Sequence, residues 1–398
     1  MKWSTTLRNC LRAAVLLTLG FAAPAVAQDH LASKWFRYGG GIDAAWNFAA
    51  DPANPLKITV TRSKGREVRG PAKRVLVLYP RPSSAYDVAI TKILHVFETK
   101  EMNAEFTIVN FEMDDRKGAA ALQFAESNKS DLIFAMGSES TAWLYDNYQG
   151  GAIPVVSVCS KDPVQLGQMK DYASGSKTNF AFTSLNVPVD VQMAYVRELN
   201  PDLKNLAVLV DSRNISAVQT QAEPIANYAR QRGIQVIWAA VQNPAKAREE
   251  LAQIVREAVQ TMRKSDPDLS KSLFWVTGST SVFLEIRTIN ENSDRVPVIS
   301  VVPEIVRSGT DTAVIGIGIS FESNAHLAAI YGFDILMGKK AGDLKVGVVS
   351  PPDIAISFMK AREIGLRVPF SFFESASFIY DYDGRPVRTV ASKMSSDN

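Results

Sequence analysis

Four short turns of small polar residues are where this chain could do chemistry. They are Ser83-Ser84, Gly137-Ser138-Glu139-Ser140-Thr141, Ser212-Arg213-Asn214 and Gly278-Ser279-Thr280-Ser281. Each follows an apolar run and precedes a helix-forming stretch. Free backbone N–H groups and the positive end of a helix dipole favour a carboxylate or similar anion at such a place. Ser and Thr add hydroxyl donors without bulk. The same residue types are ordinary helix caps, contributing about 1 kcal/mol each, and capping is the expected role of any one taken alone. Binding is favoured by position, because four such turns would converge if two lobes faced each other. Gly137 and Gly278 also leave room beside the backbone. The candidate ligand-binding set is therefore Ser83, Ser84, Gly137, Ser138, Ser140, Thr141, Asn214, Gly278, Ser279, Thr280 and Glu304. Glu304 is the expected acceptor for a ligand ammonium. Arg81 and Arg213 have the geometry to clamp a carboxylate, although solvated roles are the default for both. Asp162 is expected to cap a helix. Tyr79, Tyr86 and Trp275 flank the same turns, with core packing the default for Tyr79 and Trp275.

Catalytic sets are not evident. The three histidines, His30, His95 and His326, have no metal-ligand spacing with a cysteine or with each other, so no zinc or iron site is expected. Ser138 lies in GSES without the G-x-S-x-G of a nucleophile elbow. There is no P-loop and no G-x-G-x-x-G after a strand, so no cofactor is expected. Cys159 reads as a small core residue rather than a nucleophile. The chain does not read as an enzyme.

The elements that must hold these turns occur twice. DLIFAMGSESTAWL around Gly137 and IPVVSVCSKDP from Ile153 have counterparts in SLFWVTGSTSVFL around Gly278 and VPVISVVPE from Val296. The glycines lie 141 residues apart and the leading prolines, Pro154 and Pro297, lie 143 apart. RVLVLYPRPSSAYD from Arg74 and NLAVLVDSRNISAV from Asn205 form an upstream pair. From Arg74 onward, short Val/Ile/Leu runs alternate with amphipathic stretches, the pattern of βαβ units and parallel sheets. Strands are expected at 75–79, 106–110, 132–136, 155–158 and 180–183, then at 206–210, 235–239, 273–276, 298–301 and 313–317. Helices are expected between them, including 162–170, 216–232, 281–290 and 305–308. A helix over 322–337 and a last strand at 354–358 follow. The expected organisation is residues 28–72 as an N-terminal extension, 73–186 as lobe 1, 187–320 as lobe 2, and 321–398 as a return helix and C-terminal segment completing the lobes.

The 398 residues suit two domains. Residues 1–27 read as an export signal: Lys2, Arg8 and Arg12, an apolar stretch from Ala13 to Ala23, and the small-x-small site Ala25-Val26-Ala27. Removing it after Ala27 would leave 41 basic and 41 acidic residues, a balance that does not suggest nucleic-acid binding. Cys159 would then be the only cysteine, and no other stretch approaches the length of a membrane span. The Gly- and Pro-rich segment 28–72, with one strand near Ile58 to Thr61, reads as an exposed or strap-like extension.

Four segments carry a resemblance to the periplasmic substrate-binding proteins of ABC transporters, of the tryptophan-binding type. AMGSESTA resembles that family's small polar loop, IPVVSVCSKDPV its strand and DPV loop, and VPVISVVPEIVRSG its later strand with an acidic residue. AREIGLRVPFSFFESA, the most specific, resembles its C-terminal stretch. The likeness spans residues 73–380. It departs at GSKTNFAFTS, where the family has a G-G-N-V-T-G turn, and at the N-terminal extension. The resemblance implies an α/β fold of two Rossmann-like lobes with parallel sheets and a three-crossing hinge, the type I periplasmic binding architecture. Hinge segments are expected near 183–187, 318–321 and 342–352. It further implies a monomeric periplasmic protein that closes on a small ligand, an amino acid or related carboxylate, and hands it to an ABC permease in the inner membrane. A sensor of the same fold, partnering a membrane receptor or histidine kinase, is the alternative.

Overall fold

The computed structural model describes residues 30–31, 34–65, 68 and 70–388. The expected export signal lies outside them. Two α/β lobes stand side by side, each built on a doubly wound sheet. In lobe 1 the parallel strands run in the order Ala104–Asn110, Lys73–Tyr79, Leu132–Met136, Val155–Val158, Phe180–Ala181. In lobe 2 the order is Gln235–Val241, Asn205–Asp211, Ser272–Val276, Val298–Ser300, Ile315–Gly318. Both therefore have the 2-1-3-4-5 order, whose topological switch point lies between the first and third strands. Leu132–Met136 and Ser272–Val276 are buried along their whole length, as strands covered by helices on both faces must be. Hence they read as unbroken apolar runs.

The N-terminal segment corrects the expectation of an exposed strap. Trp46–Ala50 and Lys57–Arg62 form an antiparallel hairpin, and Lys57–Arg62 pairs antiparallel with Ala104–Asn110. The hairpin thus extends the lobe 1 sheet to seven strands. Trp35, Phe36, Ile42 and Trp46 are buried. Trp46 meets Phe106 edge-on at 5.5 Å, and the Arg62 guanidinium lies 4.1 Å from the Trp46 ring centre. The burial of these aromatics outweighs the local Gly and Pro content, which shapes only the turns.

Lobe 2 takes in strands of the C-terminal segment. Asp353–Ser357 joins Ile315–Gly318 antiparallel, and Phe378–Tyr380 and Pro386–Arg388 continue the sheet to eight strands. Four other expectations change. Residues 162–170 form turns rather than a helix. The stretch after Gly278 is two short helices, Thr280–Phe283 and Ile286–Asn292. The helix expected at 216–232 starts as Ile215–Ala217, passes through a π-helical turn over Val218–Ala222 and continues as Glu223–Arg230. In place of a helix at 305–308 there is a single 3-10 turn, Pro303–Ile305.

The chain passes between the lobes three times. It leaves the lobe 1 sheet at Phe180–Ala181 and runs through Thr183–Ser184 into Val189–Leu199 of lobe 2. It comes back after Ile315–Gly318 as the helix Phe321–Leu336, which packs on the Ser84–Thr99 helix of lobe 1. Gly332 lets that helix lie close on the sheet, since a Cβ there would sit 2.4 Å from the Phe134 ring. The third passage, Gly347–Val348, pairs parallel with Thr183–Ser184 and leads to Asp353–Ser357. These positions coincide with the three expected crossing segments.

Because the hairpin aromatics belong to the lobe 1 core, Trp46→Ala should cost about 3–5 kcal/mol. Urea denaturation of the variant checks this: an unchanged midpoint would mean that residues 34–62 are not part of the lobe.

Candidate functional site

The two switch points face each other across the space between the lobes. The loops leaving Lys73–Tyr79 and Leu132–Met136 supply one wall, and those leaving Asn205–Asp211 and Ser272–Val276 supply the other. An inner cavity between them is lined from lobe 1 by Arg81, Ser83, Tyr86, Gly137, Ser138, Glu139, Cys159 and Lys161. Asn214, Gln221, Gly278, Thr280, Phe283, Val301 and Val302 line it from lobe 2, with Leu185, Ile319 and Phe321 of the crossings at its back. It leaves only about 40 Å³ of room for a water-sized body. A wider mouth of about 410 Å³ opens outward past Ser138, Glu139, Arg213, Asn214 and Ile215.

Of the candidate residues, Ser83, Gly137, Ser138, Asn214, Gly278 and Thr280 line the inner cavity. Ser83 also caps the Ser84–Thr99 helix, and Asn214 accepts the Ala217 N–H at 3.1 Å. Ser138 Oγ accepts the Lys161 N–H at 3.0 Å and so pins one loop of lobe 1 to the next. Five candidates do not reach the cavity. Ser84 is exposed on the first turn of its helix. The hydroxyls of Ser140 and Thr141 are turned inward, donating to the Leu78 and Gly137 carbonyls. Ser279 Oγ accepts the Asp211 N–H.

Glu304 is the fifth, and its carboxylate accepts the Phe321 N–H at the head of the Phe321–Leu336 helix. Its second oxygen is buried without a partner. Burial pushes the Glu304 carboxyl up to about 8; the Phe321 N–H pulls the other way, and the carboxylates of Asp353 and Glu322 add to the rise.

The two glycines admit protein rather than leaving open space. Gly137 has φ +77°, and a Cβ there would fall 2.0 Å from the Tyr86 hydroxyl oxygen. Beside Gly278 lies Gln221, whose Oε1 accepts the Gly278 N–H at 2.8 Å. Tyr79 and Trp275 are core residues, as expected. Asp162 caps a turn, accepting the Val164 and Gln165 N–H groups.

Sequence reasoning passed over Lys161 and Gln221. Lys161 stands in the loop after the fourth strand of its lobe, where the switch-point rule alone directs attention. Gln221 is brought to the cavity by the π-turn, which leaves no mark on hydrophobic periodicity.

Charge lies on one side of this cavity. Arg81 pairs with Glu139 at 2.7 Å. Burial resists the ionised Glu139 carboxylate, but the Arg81 guanidinium and the Lys161 ammonium outweigh it and hold the carboxyl below its usual range. The Lys161 ammonium is lowered chiefly by burial, with Glu139 opposing the shift. The Gly137–Tyr148 helix starts at this wall; Met136 before it supplies no side-chain cap, and the Glu139 carboxylate in its first turn accepts its own backbone N–H. The lobe 2 wall carries amides, a hydroxyl and apolar groups only.

Two open α/β lobes with a cleft at their facing switch points define a type I periplasmic binding fold. The chain belongs to the ABC transporter substrate binding protein family, whose sequence model matches residues 88–377. It is 23% identical over 231 residues to a tyrosine-binding protein of Clostridioides difficile, covering 58% of this chain and 62% of that protein. The chain therefore aligns with somewhat under two thirds of that relative's length. Among solved structures, the ABC domain from Streptococcus pneumonia in complex with L-Trp superposes with a TM-score of 0.62 at 18% identity, covering 78% of this chain and all of that one. A conserved domain protein from Vibrio cholerae also gives 0.62 at 18% identity, covering 77% and 99%. The ligand-free, open form of a Clostridium difficile substrate-binding protein with adhesive properties gives 0.58 at 19% identity, covering 80% and 100%. Among the described residues no helix is long and apolar enough to cross a membrane.

The buried carboxyl of Glu304 gives a signed pH prediction. Its folded value of about 8 lies above its ordinary 4.5, so its contribution to stability is complete below pH 4.5 and is lost as pH rises through 8. Glu304→Gln keeps an acceptor for the Phe321 N–H and removes the titration. The variant should melt at least about 2 °C above the parent at pH 8.5 and show no such gain at pH 4.5. Equal melting curves across this range would refute the assignment.

Proposed function

We propose that the protein is an exported, non-enzymatic binding protein that captures a small carboxylate-bearing solute, an amino acid or a related acid, between its lobes. It acts as a monomer in the periplasm and delivers that solute to an ABC permease of the inner membrane. The observation that carries this reading is the convergence of both switch points on one cavity with a charged wall and an apolar wall. Arg81, Lys161 and the head of the Gly137–Tyr148 helix supply donors and positive potential for a carboxylate. Phe283, Val302, Ile319 and Phe321 supply the apolar surface that a side chain of the solute would cover. The relatives named for tyrosine and for bound L-Trp support a ligand of this size and kind.

An inner space of about 40 Å³ has room for one or two waters rather than an amino acid. Capture therefore requires the lobes to part and close again about the solute, with bound ligand stabilising the closed state. The crossings at 183–184, 319–320 and 347–348 are the segments that would bend.

A thermal-shift scan of residues 28–398 against amino acids, their keto and deamino acids, sugars and nucleosides tests this. A true ligand at about 100 times its Kd adds about 2.7 kcal/mol, so a rise of several degrees is expected within the carboxylate set. A rise with a sugar or nucleoside and with no carboxylate would overturn the reading.

A further inference from the structure

The cavity has an electrostatic imbalance that narrows the class of ligand. Three charged side chains line it, Arg81, Glu139 and Lys161, all from lobe 1. Arg81 and Glu139 neutralise each other at 2.7 Å. Lys161 is 8% exposed, and among the described residues its ammonium has no carboxylate within ion-pairing distance and no hydrogen-bond acceptor. A cation on a largely buried residue, opposed only at a distance by Glu139, is costly, and a ligand anion would complete it. The Gly137–Tyr148 helix head lies beside it, and the Lys161 N–H bonded to Ser138 Oγ holds the two together. Both border the same cavity.

Nothing on the opposite wall restores the balance. Asn214 Oδ1 is occupied by the Ala217 N–H and the Ser216 hydroxyl, and Gln221 Oε1 by the Gly278 N–H. Asp211 faces Arg81 from lobe 2, but it stands behind the wall. Its oxygens take the Arg213 N–H at 2.9 Å and the Ser281 hydroxyl at 2.7 Å. Cys159 Sγ points to the Phe321 carbonyl at 3.8 Å, and burial keeps it as the neutral thiol. Glu304, the residue expected to meet an ammonium, stands outside the lining: one oxygen accepts the Phe321 N–H, the other is buried without a partner, and burial pushes the carboxyl up to about 8, so that it is mostly the neutral acid at pH 7. A zwitterion entering this cavity finds a cation for its carboxylate and no free anion for its ammonium. The one carboxylate on the wall, that of Glu139, is already engaged by Arg81.

We propose that the site selects ligands carrying one net negative charge, a monocarboxylate such as a 2-keto, 2-hydroxy or deamino acid, with the carboxylate seated on Lys161. This rests on the binding role proposed above and specifies its ligand. The preference follows from one unpaired cation on the wall and no unpaired anion.

Isothermal titration calorimetry of the unmodified chain at pH 7 tests it with ligands matched in side chain. The pairs are phenylpyruvate and 3-phenylpropionate against phenylalanine, and indole-3-propionate against tryptophan. At least one acid should bind about tenfold or more tighter than its amino acid, a difference of about 1.4 kcal/mol. Lys161→Gln should abolish that preference, and Lys161→Arg should restore much of it. The wild-type comparison needs no variant and stands even if the glutamine form fails to fold. Amino acids binding as tightly as, or tighter than, their matched acids would overturn this inference while leaving the binding role intact. If neither member of any pair binds, the inference fails, and it is the thermal-shift scan over other solute classes that decides the binding role.

Discussion

The whole arrangement hangs on how the chain crosses between lobes without losing a buried hydrogen bond. Asn324, fully buried on the returning helix, does this with one side chain. Its Oδ1 accepts the Cys159 N–H at 2.7 Å and the Thr183 hydroxyl at 3.3 Å, and its Nδ2 donates to the Ser184 carbonyl at 3.1 Å. The loop after a lobe 1 strand, the first crossing and the second crossing thus meet on a single amide. Leaving such groups unpaired costs about 1–3 kcal/mol each, so the joint is strongly specified. Cys159 adopts a left-handed φ of +52° there, which turns the following residues, Lys161 among them, toward the cavity.

From that joint the division of labour in the cleft follows. Lobe 1 and the helix it receives from the C-terminal third present charge and helix-head amides. Lobe 2 presents Phe283, Val301 and Val302 with a few neutral polar groups. The two lobes share a topology and no longer share a chemistry. At Gly137 the turn opens a helix of 12 residues. At Gly278 it opens one of four, and Gln221 reaches in over the glycine from the π-turn. Duplication accounts for the scaffold, and divergence of the loops accounts for the polarity of the site.

Much of the scaffold was legible in the sequence because parallel strands buried on both faces must be continuous apolar runs, and Leu132–Met136, Val155–Val158, Asn205–Asp211 and Ser272–Val276 announced themselves in that way. The loops at their C-terminal ends were legible for the same reason. The N-terminal hairpin was legible only in its second strand, near Ile58 to Thr61; the first, Trp46–Ala50, is an edge strand whose Trp46 and Phe48 alternate with exposed residues. Its anchor, Trp46, gives no sign of its partner Phe106 at a distance of sixty residues. Within the site, residue type marked the loops but not the direction of each side chain. Ser138 and Ser140 are two residues apart on one helix turn, yet one faces the cavity and the other bonds to Leu78. Glu304 had the right charge in the right loop, and its carboxylate instead ties down the helix that begins at Phe321. Lys161 stood in plain view beside Asp162. Only the three-dimensional tally of neighbours reveals that it lacks a partner.

The central claim is that solute binds in the cleft between the lobes and holds them together. Small-angle X-ray scattering of residues 28–398, titrated with a carboxylate shown to bind, tests it most directly. The account predicts a radius of gyration that falls as the site saturates and a scattering profile that approaches that of the structure described here. An unchanged profile at full saturation would contradict it, placing the ligand outside the cleft or showing that occupancy does not move the lobes.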